Sequence, residues 1–271
     1  MKPLLPVKKH GIYLLPNLLT TASLFSGFYA VIAAMNQQFE AAAIAIFIAM
    51  VWDGLDGRVA RLMNAQSSFG AQYDSLSDMV SFGIAPALVA YQWSLSGVGK
   101  LGWLAAFVYV AGAALRLARF NLQAEGSDKH YFQGLPSPPA AATLAGMVWV
   151  GQNWSIDRGY YACAATLVTP LLGLFMVSNF RYRSFKDIAW RHRISFVMVL
   201  GVVSLFVVIS LNPPLVLFLS FAAYALSGPV ITYRTIRKVT IKHVVGDTDE
   251  AYFDENGDEK LSNDQQQDKQ H

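Results

Sequence analysis

The chain has 271 residues, of which 54% are hydrophobic and only 14% charged, with a formal net charge of +3. A soluble domain carries about 25% charged residues, so this composition excludes an ordinary water-soluble globule and points to a polytopic membrane protein. The charge is segregated: nine of the eighteen acidic residues follow residue 245, and four of the other nine fall within one motif.

Residues 1–15 carry Lys2, Lys8, Lys9 and His10 before Ile12, Tyr13, Leu14 and Leu15. No small-residue cleavage site follows, so the segment reads as a retained cytoplasmic or interfacial stretch, its lysines near anionic headgroups or simply disordered. Apolar runs then recur at about 17–35, 41–62, 70–93, 100–121, 137–152, 159–178, 194–211 and 214–233. They predict an all-α fold of about eight transmembrane helices, the run at 137–152 being short. With the N-terminus in the cytoplasm, eight crossings bring nineteen of the twenty-one Lys and Arg to the cytoplasmic side; Lys100 and Arg158 are the exceptions. That asymmetry places both termini in the cytoplasm.

The first run opens at Pro16-Asn17-Leu18-Leu19-Thr20, where Pro suits a helix start and Asn17 and Thr20 suit its capping. The second run ends in charge. Asp53, Asp56, Gly57, Ala60 and Arg61 stand at i, i+3, i+4, i+7 and i+8, one face of a helix. Gly70, Asp74 and Asp78 repeat every four residues on the next helix, and the eight residues from Leu62 to Phe69 leave room for a turn. The two faces can meet as an antiparallel pair with all four aspartates converging. A single charge within a membrane helix costs ~3 kcal/mol on insertion scales, and like charges add to that. Divalent cations neutralise such a cluster most simply, and all-oxygen ligation suits Mg2+ or Mn2+. Gly57 and Gly70 leave space for a ligand against the backbone, and Arg61 adds a cation for phosphate. Ser67 suits a helix N-cap.

The spacing D-x2-D-G-x2-A-R-x8-G-x3-D-x3-D resembles the signature of the CDP-alcohol phosphatidyltransferases at all eight constrained positions. Further on, Ser81-Phe-Gly-Ile-Ala-Pro86, Arg116-Leu-Ala-Arg119-Phe-Asn121 and Phe132-Gln-Gly-Leu-Pro-Ser-Pro-Pro139 resemble the phosphatidylserine synthase branch of that family. The resemblance covers about residues 12–140 and implies transfer of a phosphatidyl group from CDP-diacylglycerol to L-serine with release of CMP. It implies two divalent cations, with Asp53 and Asp74 bridging both, Asp56 completing the first and Asp78 the second. Asp78 would also be the base for the serine hydroxyl. Asn17, Thr20, Gly57, Arg61, Ser67 and Gly70 would line the CDP-diacylglycerol pocket. Arg116 and Arg119 are either topology anchors or cations for the serine carboxylate. A homodimer in the cytoplasmic (inner) membrane, its site open to the cytoplasm, is expected, and no nucleic-acid partner.

Pro86 is expected to kink the third helix. The lone Cys163 excludes an intramolecular disulfide. Phe180–Lys186 reads as a basic cytoplasmic loop contacting headgroups, and 244–271 as a disordered acidic tail. Asp254–Asp258 lacks the sixth-position Gly and closing Glu of a calcium loop. Residues 16–140 thus form the expected catalytic core and 141–235 additional membrane helices. Phosphate loops, H-E-x-x-H and cysteine-pair metal spacings are absent, as are the His-x-Lys motifs of phospholipase D-like enzymes. The rival readings are the same chemistry with choline, inositol or glycerol phosphate, a transporter with an intramembrane carboxylate site, and a non-catalytic scaffold.

Overall fold

The computed structural model describes residues 14–63, 65, 67–123, 131–154, 158–183 and 196–246. The N-terminal lysines, the part of the basic loop from residue 184 and the tail beyond 246 lie outside the described residues. Residues up to Gly228 form one compact unit and those from Pro229 a second.

Helix α1 (Leu14–Met35) and helix α2 (Phe39–Leu62) make the most extensive pairing in the fold. Small side chains allow it. Ser23, Ser26, Gly27, Ala30, Ala33 and Ala34 of α1 are buried, as are Ala42, Ala43, Ala45 and Ala49 of α2. Without a large side chain between them, backbones come close and dispersion contacts accumulate, which is how helices associate in lipid. Phe25, Phe28 and Ile32 on the other face of α1 are exposed, as a lipid-facing stripe would be.

Ser67 caps helix α3 (Ser68–Asp78), accepting a hydrogen bond from the Gly70 amide at 3.0 Å. The chain then continues as a π-helical segment (Met79–Ile84) into helix α4 (Ala85–Trp93). The sequence predicts a kink at Pro86; the backbone widens into a π turn just before it. The reason is steric and electrostatic. Proline has no N–H and its ring crowds the carbonyl four residues back, here that of Phe82. The Phe82 carbonyl instead accepts the hydroxyl of Tyr109 at 2.9 Å, and that tyrosine is wholly buried. Tyr109→Phe would remove this bond to the Phe82 carbonyl, so it is expected to lower stability by ~0.5–1.5 kcal/mol, read as a lower Tm in detergent; an unchanged Tm would contradict this account of the π turn. Gly27 of α1 lies against the same segment, where an added Cβ would come within 2.6 Å of the Ser81 Cα.

A 3-10 turn (Leu95–Val98) leads to helix α5 (Lys100–Gln123), which packs on helix α7 (Arg158–Val177) where Gly112 and Gly173 face each other. Helix α6 (Ser137–Asn153) is buried from Ala140 through Val148 and touches α2, α4 and α7. Its shortness in the sequence reflects this central place. A helix apolar on every side is buried on every side.

Two strands depart from the expected all-helical picture. Strand β1 (Tyr131–Gln133) pairs antiparallel with strand β2 (Arg181–Arg183), in the register Tyr131↔Arg183, Phe132↔Tyr182 and Gln133↔Arg181. Three-residue strands are too short to display a period of two, and their pairing is non-local. Tyr182, within what reads as a basic loop, is fully buried and donates its hydroxyl to the Ala225 carbonyl at 2.9 Å.

Helix α8 (Phe196–Leu211) and helix α9 (Pro213–Gly246) complete the described chain. α9 runs beyond the apolar stretch that ends near residue 233, because the end of hydrocarbon does not interrupt backbone hydrogen bonding. Among the described residues, three helical stretches are long and apolar enough to cross a membrane: Leu14–Met35, Lys100–Leu122 and Pro213–Tyr233.

Candidate active site

The last turns of α2 carry Asp53 and Asp56, and α3 carries Asp74 and Asp78. Each packed against α1, the two helices bring one carboxylate oxygen each of Asp53, Asp56 and Asp74 within 4.8 Å of one another. Asp78 lies beside Asp53 and Asp74, with Arg116 of α5 among its charged neighbours.

Hydroxyl groups set this arrangement. Thr20 of α1 donates to Asp56 Oδ2 at 2.7 Å, and both residues are buried. The Thr20 carbonyl accepts from Ser77, also buried, at 3.1 Å. One residue of α1 therefore ties the helix of Asp56 to the helix of Asp74 and Asp78. One turn deeper, Ser81 donates to the Ser23 carbonyl at 3.0 Å and Ser23 to the Ala49 carbonyl at 3.1 Å. Buried hydroxyls must find partners, and here their partners are the helices that carry the acids.

Two carboxylate oxygens have no such partner. Asp74 Oδ1 and Asp78 Oδ1 are buried without a hydrogen bond. An orphaned carboxylate oxygen is costly in a low-dielectric interior. Together with three converging acidic ligands and open space beside Gly54 and Gly57, this fits a hard divalent cation.

The remaining expected site residues lie in different surroundings. Asn17, Ser67 and Gly70 gather at the start of α3, where a Cβ on Gly70 would meet Ser67 Oγ at 3.1 Å and Asn17 Oδ1 at 3.4 Å. Arg61 is exposed and its Nε donates to the Gly57 carbonyl at 2.8 Å. The two α5 arginines separate. Arg116 Nη1 donates to Ser137 Oγ at 2.7 Å and has Asp78 and Asp53 as charged neighbours. Arg119 reaches the end of α7, donating to the Val177 carbonyl at 3.3 Å and to Asn179 Oδ1 at 2.8 Å. Two further contacts near the site emerge from the structure alone. Thr21 and Tyr73 pair through their hydroxyls at 2.9 Å, and Ser75 bonds Asn121 at 3.1 Å. Ser77 had one available signal, its place between two motif aspartates.

The family model for CDP-alcohol phosphatidyltransferase matches residues 13–177. The chain is 39% identical over 194 residues to the CDP-diacylglycerol--serine O-phosphatidyltransferase of Helicobacter pylori, covering 72% of this chain and 81% of that one. Its similarity to the protein of the same description from Mycobacterium tuberculosis is 40% over 153 residues, 53% of each chain. To that from Bacillus subtilis it is 32% over 172 residues, 64% of this chain and 91% of the other.

Proposed function

The chain belongs to the CDP-alcohol phosphatidyltransferase family, and from that premise we propose that it transfers the phosphatidyl group of CDP-diacylglycerol to the hydroxyl of L-serine, giving phosphatidylserine and CMP. The observation that carries the chemistry is the convergence of Asp53, Asp56 and Asp74 beside the orphaned oxygens of Asp74 and Asp78. The similarity to serine-using relatives supports the acceptor.

Asp53, Asp56 and Asp74 would hold a divalent cation, Mg2+ or Mn2+, and Asp78 with Asp53 and Asp74 a second. Such ions neutralise pyrophosphate and the charge that develops on the departing CMP. Arg61 and the open backbone at Gly57 receive the nucleotide phosphates, with Asn17, Thr20, Ser67 and Gly70 along the same rim. Asp78 takes the proton of the serine hydroxyl as its oxygen attacks the β-phosphorus, the one bearing diacylglycerol. The bond from that phosphorus to the bridging oxygen breaks, and CMP leaves with the pair. No side chain is needed as a covalent carrier. Arg116, beside Asp78, receives the serine carboxylate.

Eight crossings, cytoplasmic termini, an inner-membrane site open to the cytoplasm and a homodimer complete the reading. The lysine and arginine asymmetry supports the orientation. The test is CMP release by purified protein given CDP-diacylglycerol, Mn2+ or Mg2+, and a panel of serine, inositol, choline and glycerol phosphate. Release only with serine is expected. Release only with another alcohol would overturn the acceptor, and solute movement in proteoliposomes without CMP would favour the transporter.

A further inference from the structure

Arg116 has Asp78 and Asp53 as charged neighbours, yet among the described residues its one hydrogen bond goes to Ser137 Oγ, and no carboxylate lies at ion-pair distance. A guanidinium has five donors in a rigid fork. One bond holds one edge and leaves the others for a planar anion such as a carboxylate.

Ser137 is enclosed and its backbone is fixed on both sides. It is fully buried and is the first residue of α6. The segment before it is fixed by backbone bonds to the end of α7 and the residues after it. The Gly134 amide donates to the Phe180 carbonyl and the Leu135 amide to the Phe175 carbonyl, each at 2.9 Å. Gly134 has φ 81, and a Cβ there would strike the Met176 carbonyl. Pro136, Pro138 and Pro139 restrict the backbone on both sides of Ser137. β1 anchors the segment's start to β2. A preorganised partner costs the arginine little entropy on binding a ligand.

We propose that Ser137 is the positioning residue for acceptor selection: through its bond to Arg116 it holds the guanidinium where a carboxylate-bearing amino alcohol is accepted and one without a carboxylate is not. This inference rests on the reading of Arg116 as the cation for the acceptor carboxylate. It assigns the Gly134–Ser137 segment, which reaches the aspartates only through Arg116, to specificity and not to chemistry.

Ser137→Ala removes a single oxygen. It is expected to raise the serine KM about tenfold, with a smaller effect on kcat and with CDP-diacylglycerol binding retained. The ratio of ethanolamine to serine turnover should rise. Ser137→Thr, which restores the hydroxyl, should recover part of the serine KM. The double variant Ser137→Ala/Arg116→Ala should be no worse in serine KM than Arg116→Ala alone. If Arg116→Ala raises the serine KM and Ser137→Ala does not, the inference fails and the role of Arg116 stands. If neither raises it, the reading of Arg116 fails too. Loss of CDP-diacylglycerol binding in Ser137→Ala, in step with the serine effect, would make the residue purely structural and overturn the proposal.

Discussion

Asp74→Asn and Asp53→Asn should each abolish serine-dependent CMP release and weaken Mn2+ binding by about 100-fold or more. Even partners of metal ligands one layer out are worth ~10–100-fold in affinity, so a direct ligand belongs at or above the top of that range. The expectation follows from the cluster. Asp53, Asp56 and Asp74 bring one oxygen each within 4.8 Å, and Asp74 keeps its Oδ1 buried and unbonded. Each substitution removes one negative charge from a site whose folding geometry rests on other groups, chiefly Thr20, Ser23, Ser77 and Ser81. The variants should therefore fold, and thermal stability without metal should hold or rise as repulsion among the acids falls. EDTA on the unaltered protein should give the same loss of turnover, reversed by Mn2+ or Mg2+. Full activity after rigorous chelation would remove the cation from the account.

Asp78→Asn should separate binding from chemistry. Asp78 is not one of the three acids that converge within 4.8 Å; it sits beside Asp53 with Arg116 nearby. Replacing it leaves three carboxylates for cation and CDP-diacylglycerol, while the group that takes the serine proton is gone. General-base catalysis contributes about 10²–10⁴-fold, so kcat should fall by that order while CDP-diacylglycerol affinity changes only a few-fold. Binding lost as completely as in Asp74→Asn would make Asp78 an ordinary ligand with no separate role.

The acid cluster was legible because its spacing is local. A helix turns every 3.6 residues, so Asp53 and Asp56, and Asp74 and Asp78, had to share faces whatever the rest of the chain did. The end of α2 at Leu62 matches the expected limit, whereas α9 runs past its expected end near residue 233 to Gly246. What stayed hidden depends on contacts distant in sequence. The bond from Thr20 to Asp56 spans 36 residues and that from Arg116 to Ser137 spans 21. Nothing local distinguishes either hydroxyl from a helix cap. Arg116 and Arg119, three residues apart, look equivalent on a helical wheel; only the packing of α7 against α5 sends Arg119 to Val177 and Asn179. Pro86 announced a disturbance but not its form, since the π turn depends on Tyr109 reaching the Phe82 carbonyl from another helix.

The central claim is that this acid cluster joins serine to a phosphatidyl group. It is tested most directly by supplying purified protein in detergent with CDP-diacylglycerol, Mn2+ and isotopically labelled L-serine, and by analysing the extracted lipid. The account predicts labelled phosphatidylserine equal in amount to the CMP released, and neither product from Asp74→Asn. CMP released without label entering lipid, or labelled lipid formed equally well by Asp74→Asn, would contradict it.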